Sequence, residues 1–172
     1  MAARFAVTVA TLAALAACAQ PRPAPSPTPQ ASPAPRSAPP PPRIVTGWRD
    51  TPITPGAWSW ADTGGRSTAS FAAPGAAPLL TMSCDRSARQ VSLIRPGTAT
   101  AAVPMAVATT DGGRTINALP SGQTLMATLA ATDRLLDSIA FSRGRFAVEM
   151  PGLATLYLPS SPELSRVMED CR

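Results

Sequence analysis

The sequence contains neither histidine nor lysine. Without an imidazole, a Ser-His-Asp or Cys-His catalytic arrangement and histidine metal sites are excluded. Without a lysine side chain, a serine-lysine dyad and Schiff-base chemistry are excluded as well. A two-carboxylate glycosidase is formally open, but no motif brings two acids together. We therefore predict that the protein is not an enzyme and that it holds no cofactor or metal.

Aromatic residues are also scarce, at 5% of the chain, and the charges are spread unevenly. Residues 44–172 carry eleven arginines against ten aspartates and glutamates, so the formal charge of this stretch is only +1. The other four arginines lie before residue 44 and account for most of the net charge of +5. Nucleic-acid binding requires a clustered basic surface, so we expect no nucleic-acid partner.

The first eighteen residues have the pattern of an export signal. Arg4 provides a positive charge, and residues 5–17 form an apolar run that only two threonines interrupt. At about 13 residues, this run is shorter than the roughly 20 that a membrane-spanning helix requires. The pattern is typical of a secretory signal peptide that is removed on export.

At the end of this run, Leu15-Ala16-Ala17-Cys18 resembles the lipobox of bacterial lipoproteins. The resemblance implies that residues 1–17 are cleaved off and that Cys18 becomes a lipidated N-terminus. Several acyl chains hold a protein on a membrane far more firmly than one chain does. The following residue is Ala19 and not aspartate, which implies an outer-membrane anchor facing the periplasm. The alternative is an ordinary signal peptide in which Cys18 happens to lie at the exit.

A proline-rich segment follows the lipobox. Eleven of the 23 residues from position 21 to 43 are proline. A segment of this composition buries no hydrophobic core and favours the extended polyproline II conformation. At about 3.1 Å per residue, the 25 residues from position 19 to 43 would span up to roughly 75 Å. We interpret residues 18–43 as the lipidated N-terminus and a disordered linker, and residues 44–172 as one globular domain. A proline ligand for an aromatic groove is the alternative.

Two cysteines are left once Cys18 is assigned to the lipid. Cys84 and Cys171 form an even pair, and disulfides persist in the oxidising compartment that an export signal implies. We predict a disulfide between them. The alternative is a pair of buried thiols in a reducing compartment.

Short segments of alternating apolar and polar residues are separated by turn residues across the domain. Turns that recur about every ten to fifteen residues favour antiparallel strands over alternating helices and strands. We predict a mainly β domain, an antiparallel β-sandwich or barrel of about seven or eight strands. Residues 125–131 suit a helix or a strand, and we predict a strand. The turns of the predicted hairpins are Asp62-Thr63-Gly64-Gly65, residues 85–89, Asp111-Gly112-Gly113 and Pro151-Gly152.

Two segments have helical spacing. Asp133 is placed to cap a short internal helix that ends near Phe141. A C-terminal helix is predicted to follow Ser161-Pro162, because serine and proline are typical of helix starts. Four of its residues recur at i, i+3, i+4 and i+7 and therefore share one apolar face: Leu164, Val167, Met168 and Cys171. We expect this face to point Cys171 towards the core, where Cys84 could meet it.

Parts of the domain resemble a group of uncharacterised envelope lipoproteins of alphaproteobacteria. The resemblance is carried by residues 133–146 and 163–172, by the tryptophan-containing lead-in at 48–60 and by Cys84-Asp85. It implies a small exported β-rich domain. It brings no known activity or catalytic residue.

Ser142-Arg143-Gly144-Arg145 is a locally basic feature of the domain and a candidate contact site. Two arginines around a glycine, between a predicted helix and a strand, could bind a phosphate, a carboxylate or an acidic side chain of a partner. In the alternative interpretation they are solvated or are paired with a nearby acid, which could be Asp133, Asp137 or Glu149.

The three tryptophans are expected to have different surroundings. Trp58 and Trp60 share one face of a predicted strand, which indicates that they belong to the core. Trp48 lies close to the linker, and we predict that it is an exposed contact residue.

These features together predict a lipid-anchored periplasmic protein of the cell envelope with a non-catalytic role in binding or assembly. The membrane, through the lipid anchor, and an envelope protein or cell-wall component are the expected partners. The alternative is an inhibitor of a cell-wall-degrading hydrolase, although the near-neutral domain lacks an acidic loop that would suit a basic enzyme. A cell-wall hydrolase is least favoured, because catalytic groups are missing.

Overall fold

The computed structural model describes residues 47–172. The signal segment, Cys18, the proline-rich segment and residues 44–46 lie outside the described residues. In the described part, neither helix is long and apolar enough to cross a membrane. That part contains nine strands and two helices: β1 (Ala57–Thr63), β2 (Arg66–Ala72), β3 (Leu80–Asp85), β4 (Gln90–Pro96), β5 (Val103–Thr109), β6 (Gly112–Ser121), β7 (Thr124–Ala130), α1 (Arg134–Ala140), β8 (Arg145–Glu149), β9 (Leu156–Pro159) and α2 (Pro162–Cys171).

The β1–β2 hairpin shows how turn residues set the strand pairing. Thr63 pairs with Arg66, which leaves Gly64 and Gly65 as a two-residue loop. Their φ angles are 60° and 78°, the left-handed values that a type I′ turn requires and that glycine adopts without strain. The other predicted hairpins form as well, between β3 and β4, β5 and β6, and β8 and β9.

Within residues 47–172, the strands form one antiparallel sheet in the order β1-β2-β3-β4-β7-β6-β5-β8-β9. β6 joins the two halves of this sheet, because residues 112–118 pair with β5 and residues 119–121 pair with β7. The prediction of a mainly β antiparallel domain with a short internal helix and a C-terminal helix is confirmed. The sheet has nine strands, one or two more than predicted, and it is not closed into a barrel.

The lead-in before β1 covers the outer edge of β9. The N–H of Thr54 donates to the carbonyl of Tyr157 at 2.8 Å, and the N–H of Tyr157 donates to Thr54 Oγ1 at 2.9 Å. Trp58 Nε1 donates to the carbonyl of Pro159 at 2.9 Å. β1 therefore reaches β9 through a side chain and not through a backbone ladder, which leaves the sheet open. These bonds also satisfy edge groups that would otherwise invite pairing with another chain.

The inner face of the sheet and both helices enclose the main hydrophobic core. α2 lies against β2 and β3, and the disulfide between Cys84 and Cys171 joins it to β3, with the two Cα atoms 5.6 Å apart. The predicted disulfide is thus confirmed. The predicted inward face of α2 is confirmed too, since its four members are buried: Leu164, Val167, Met168 and Cys171.

The two helices begin in different ways. Asp133 caps α1 as predicted, because its Oδ1 accepts a hydrogen bond from the N–H of Leu135 at 2.8 Å. Ser161 precedes α2 in an extended conformation but makes no side-chain cap. Its hydroxyl donates instead to the carboxylate of Glu163.

Candidate binding surface

The loop Ser142-Arg143-Gly144-Arg145 joins α1 to β8 and is held by hydrogen bonds. Ser142 is 3% exposed. Its hydroxyl accepts a hydrogen bond from the N–H of Thr110 at 3.1 Å and donates to the carbonyl of Arg145. The carbonyl of Gly144 accepts a bond from the N–H of Ser160 at 3.2 Å. The two predicted contact arginines therefore start from a fixed backbone.

These two arginines have different surroundings. Arg143 is exposed, and its backbone N–H donates to Thr110 Oγ1 at 3.1 Å. In the described part of the chain, its guanidinium forms no salt bridge. Arg145 is half-buried, and its Nη1 donates to the carbonyl of Thr51 at 2.5 Å. Arg145 thus fastens β8 to the lead-in, whereas the Arg143 guanidinium is open to a partner.

A third arginine, which the sequence pattern did not single out, joins them. Arg49 Nη2 donates to the carbonyl of Thr110 at 3.3 Å. Its guanidinium lies 4.8 Å from the ring centroid of Trp48, a cation–π distance. The Arg49 guanidinium and the backbone of Arg143 are held close together, because both bind Thr110. We refer to Arg49, Arg143 and Arg145 as the arginine surface.

The acids that α1 offers are engaged by other arginines. Asp133 accepts a salt bridge from Arg114 at 2.8 Å, and Asp137 accepts one from Arg172 at 2.5 Å. The hydrogen bond from Arg114 also holds the pKa of the Asp133 carboxyl below its usual value. Asp133 and Asp137 are therefore not paired with Arg143 or Arg145, which leaves solvation of these arginines as the form of the alternative interpretation that agrees with the structure.

Three further carboxylates lie in the surrounding segments. Asp50 and Asp111 are exposed and adjoin Arg49 and Thr110 in the chain. Glu149 is half-buried, at the far end of β8 from the loop. Within residues 47–172 none of the three forms a salt bridge. The arginine surface is thus mildly basic, because no carboxylate within residues 47–172 forms a salt bridge with its arginines.

Trp48 is buried, contrary to the prediction that it is exposed. It is 5% exposed and packs with Ala108, Ala147 and Tyr157. The small alanine side chains of β5 and β8 leave room on the outer face of the sheet for the indole. Trp48 therefore anchors the lead-in to the sheet, and its ring packs against the Arg49 guanidinium. It is not itself exposed to a partner.

Trp58 and Trp60 pack against the main core as predicted. The ring of Trp58 lies 5.3 Å from the Phe71 ring in an edge-to-face arrangement. Trp60 Nε1 donates to the hydroxyl of Ser67 at 2.9 Å. The guanidinium of Arg166 covers the Trp60 ring at 3.5 Å, so this tryptophan connects β1 to α2.

Phe141 is the most exposed of the large hydrophobic side chains in the described region, at 74%. It ends α1 and lies two positions before Arg143. Helical spacing stops at Ala140, so the sequence pattern assigned no role to Phe141. The signal that would have found it is an aromatic residue off the apolar face of a helix and next to a basic loop. Phenylalanine and arginine are both enriched in protein–protein interfaces relative to the rest of the protein surface.

The chemistry that this surface offers is recognition of anionic oxygens by guanidinium donors. Among residues 47–172, no group of three His, Cys, Asp or Glu side chains is placed to hold a metal ion. Comparison of the chain with known protein families found no matching family, and comparison with curated proteins found no match.

Proposed function

We propose that this protein is a lipid-anchored envelope protein that binds an acidic partner through the arginine surface and Phe141, without catalysing a reaction. The observation that carries the proposal is the exposed Arg143, which has no salt bridge within residues 47–172 and lies two positions after a 74% exposed phenylalanine. A charged fork gives bidentate recognition of a carboxylate, and the adjacent ring adds apolar area to the contact.

The backbone supports this use of the surface. Thr110 and Ser142 bind one another and both arginine-bearing segments, so little backbone entropy is lost when a partner docks. Arg145 and Trp48 hold the lead-in against the sheet and keep Arg49 beside Arg143. The backbone of the surface is therefore preorganised for binding.

The proposed location draws on the lipobox at Cys18 and on the linker. A disulfide between Cys84 and Cys171 agrees with export, because such bonds persist in oxidising compartments. A linker that spans up to roughly 75 Å would carry the domain well away from the membrane surface. This reach favours a protein or cell-wall partner over lipid headgroups.

Crosslinking in intact cells, followed by purification of the full chain from envelopes, tests the partner proposal. We expect Arg49→Gln combined with Arg143→Gln, and separately Phe141→Ser, to remove the crosslinked partner that the wild type captures. Arg66→Gln combined with Arg89→Gln is the matched control, since it removes two other exposed arginines and should leave the partner bound. An unchanged partner after the Arg49 and Arg143 substitutions would refute this role for the surface.

The anchor is tested separately, so that the two parts of the proposal can fail independently. Radiolabelled palmitate should enter the wild type and not Cys18→Ser. Equal labelling of both proteins would refute the lipobox interpretation while leaving the binding surface untouched. If the captured partner is a cell-wall hydrolase, loss of its activity in the complex would favour the inhibitor alternative over an assembly role.

A further inference from the structure

A surface cleft of about 200 Å³ lies between the β5–β6 turn and α1. The turn contributes Asp111 to its lining and α1 contributes Arg134, and both residues are exposed. The remaining lining contains one more charged residue and is otherwise uncharged: Thr109, Gly112, Gly113, Arg114, Leu135 and Ser138. Charges of both signs, on separate elements, therefore face one cleft.

Asp111 and Arg134 are not paired with each other. Thr109 Oγ1 donates to the carbonyl of Gly112 at 2.9 Å and fixes the turn that carries Asp111. Asp133 caps α1 and thereby fixes the backbone from which Arg134 extends. Within residues 47–172, no nitrogen of Arg134 comes within 4.0 Å of a carboxylate oxygen, and Asp111 forms no salt bridge. Two opposite charges thus share the cleft without neutralising one another.

The third charged residue of the cleft is neutralised by a partner. Arg114 Nη2 donates to Asp133 Oδ2 at 2.8 Å. One positive charge, on Arg134, and one negative charge, on Asp111, are left for a ligand. A simple anion in the cleft would be attracted by the first and repelled by the second, and a simple cation would meet the reverse. A ligand that carries both charges is attracted by both.

We propose that this cleft binds a small α-amino acid, with the ligand's carboxylate at Arg134 and its ammonium at Asp111. A guanidinium matches the two oxygens of a carboxylate, and an aspartate accepts hydrogen bonds from an ammonium. An α-amino acid carries both groups on one carbon, so it bridges two residues that do not contact each other. The ligand's own side chain must be small, because the cleft is smaller than the roughly 300–1,000 Å³ of typical ligand pockets.

This site is separate from the arginine surface. Thr110, to which the arginine surface is bonded, precedes Asp111 in the chain but does not line the cleft. Neither Arg49 nor Arg143 lines it. The amino-acid site therefore does not depend on the proposed function, and either can fail without the other.

Titration of the purified full chain, followed by NMR, tests the site with alanine, propionate and ethylammonium. The chain carries Cys18→Ser so that no acyl chain is attached. Propionate lacks the ammonium of alanine, and ethylammonium lacks its carboxylate. We expect alanine to bind about fivefold more tightly than either, the contribution of one exposed ion pair, and to shift the amide signals of Gly112 and Gly113. Equal affinities for the three probes, or no binding of alanine in the millimolar range, would overturn the proposal.

Two variants separate recognition of charge from a structural effect. Asp111→Asn removes the repulsion of anions, so propionate should then bind at least as tightly as alanine. Arg134→Gln should in the same way allow ethylammonium to bind at least as tightly as alanine. A loss of structure would weaken all three probes and would not reverse their order. Retention of the alanine preference in either variant would contradict the site.

Asp50→Asn and Arg143→Gln are the matched controls. They remove one exposed acid and one exposed arginine that do not line the cleft. Both should keep the fivefold preference for alanine. Loss of the preference in these controls would indicate a general effect of net charge and would refute a specific site.

Discussion

Removing the crosslink between Cys84 and Cys171 should lower the stability of the domain severely without changing its fold. The two cysteines are 87 positions apart. On the chain-entropy model, removing a crosslink that closes a loop of this length raises the entropy of the unfolded chain. The free energy of unfolding falls by about 4–5 kcal/mol as a result. With an unfolding entropy of about 2.1 cal/mol/K per residue, this loss corresponds to a fall in Tm of about 15–20 °C.

The native state should retain α2 in its place. Leu164, Val167 and Met168 remain buried against the sheet, and burying such side chains stabilises by about 1.5–3 kcal/mol each. The effect of the crosslink is therefore expected in the unfolded ensemble. Circular dichroism of the folded variant should match that of the wild type.

Urea denaturation of Cys84→Ala/Cys171→Ala and of the wild type, oxidised and reduced, measures this difference. Reduced wild type is the volume-matched control, because it keeps both sulfur atoms and loses only the bond. We expect the variant and the reduced protein to lose similar amounts of free energy. A loss below about 1 kcal/mol in the reduced protein, or selective exposure of α2 to hydrogen exchange, would refute the entropic argument.

Two further predictions concern polar contacts. Ser67→Ala should destabilise the domain by about 1–3 kcal/mol in urea denaturation. The reason is that the Ser67 hydroxyl accepts a hydrogen bond from Trp60 Nε1 at 2.9 Å and donates one to the Asp170 carboxylate at 2.5 Å. An unchanged midpoint of urea denaturation would contradict this role. The second concerns pH. Because the folded pKa of Asp133 is depressed, chiefly by the hydrogen bond from Arg114, its contribution is complete above the unfolded pKa of about 3.9 and is lost as the pH falls through the folded value. Asp133→Asn should therefore lose less stability than the wild type between neutral pH and pH about 3, and parallel pH profiles would contradict the assignment.

Local patterns were sufficient for most of the secondary structure. Gly64 and Gly65 terminate two alternating segments, and the backbone conformation that the turn demands is one that glycine adopts freely. Asp133 begins α1 because a short acidic side chain can accept from a free N–H of the first turn. Such interactions span only a few residues, so the local amino-acid sequence is sufficient to predict them.

The candidate site depended on contacts that the sequence pattern does not contain. Arg143 was found as half of a basic loop, but Arg49 joins it only because both bind Thr110, which is distant from each in the chain. Trp48 was predicted to be exposed, since its position near the linker says nothing of the alanines on β5 and β8 that receive its ring. Asp111 was predicted as a turn residue, but only the packed chain shows that this turn and α1 share a cleft.

The sequence by itself determined the strand and helix positions, the inward face of α2 and the pairing of the two domain cysteines, because periodicity, turn residues and cysteine count act locally or by elimination. It also supplied the lipobox interpretation of Cys18, which lies outside the described residues. Tertiary structure decided that β6 bridges two half-sheets, that Trp58 and Thr54 cover β9 in place of barrel closure, and which arginines remain unpaired. These outcomes depend on which segments, distant in the sequence, meet at the same sheet edge or the same carboxylate. Those contacts exist only in the folded chain.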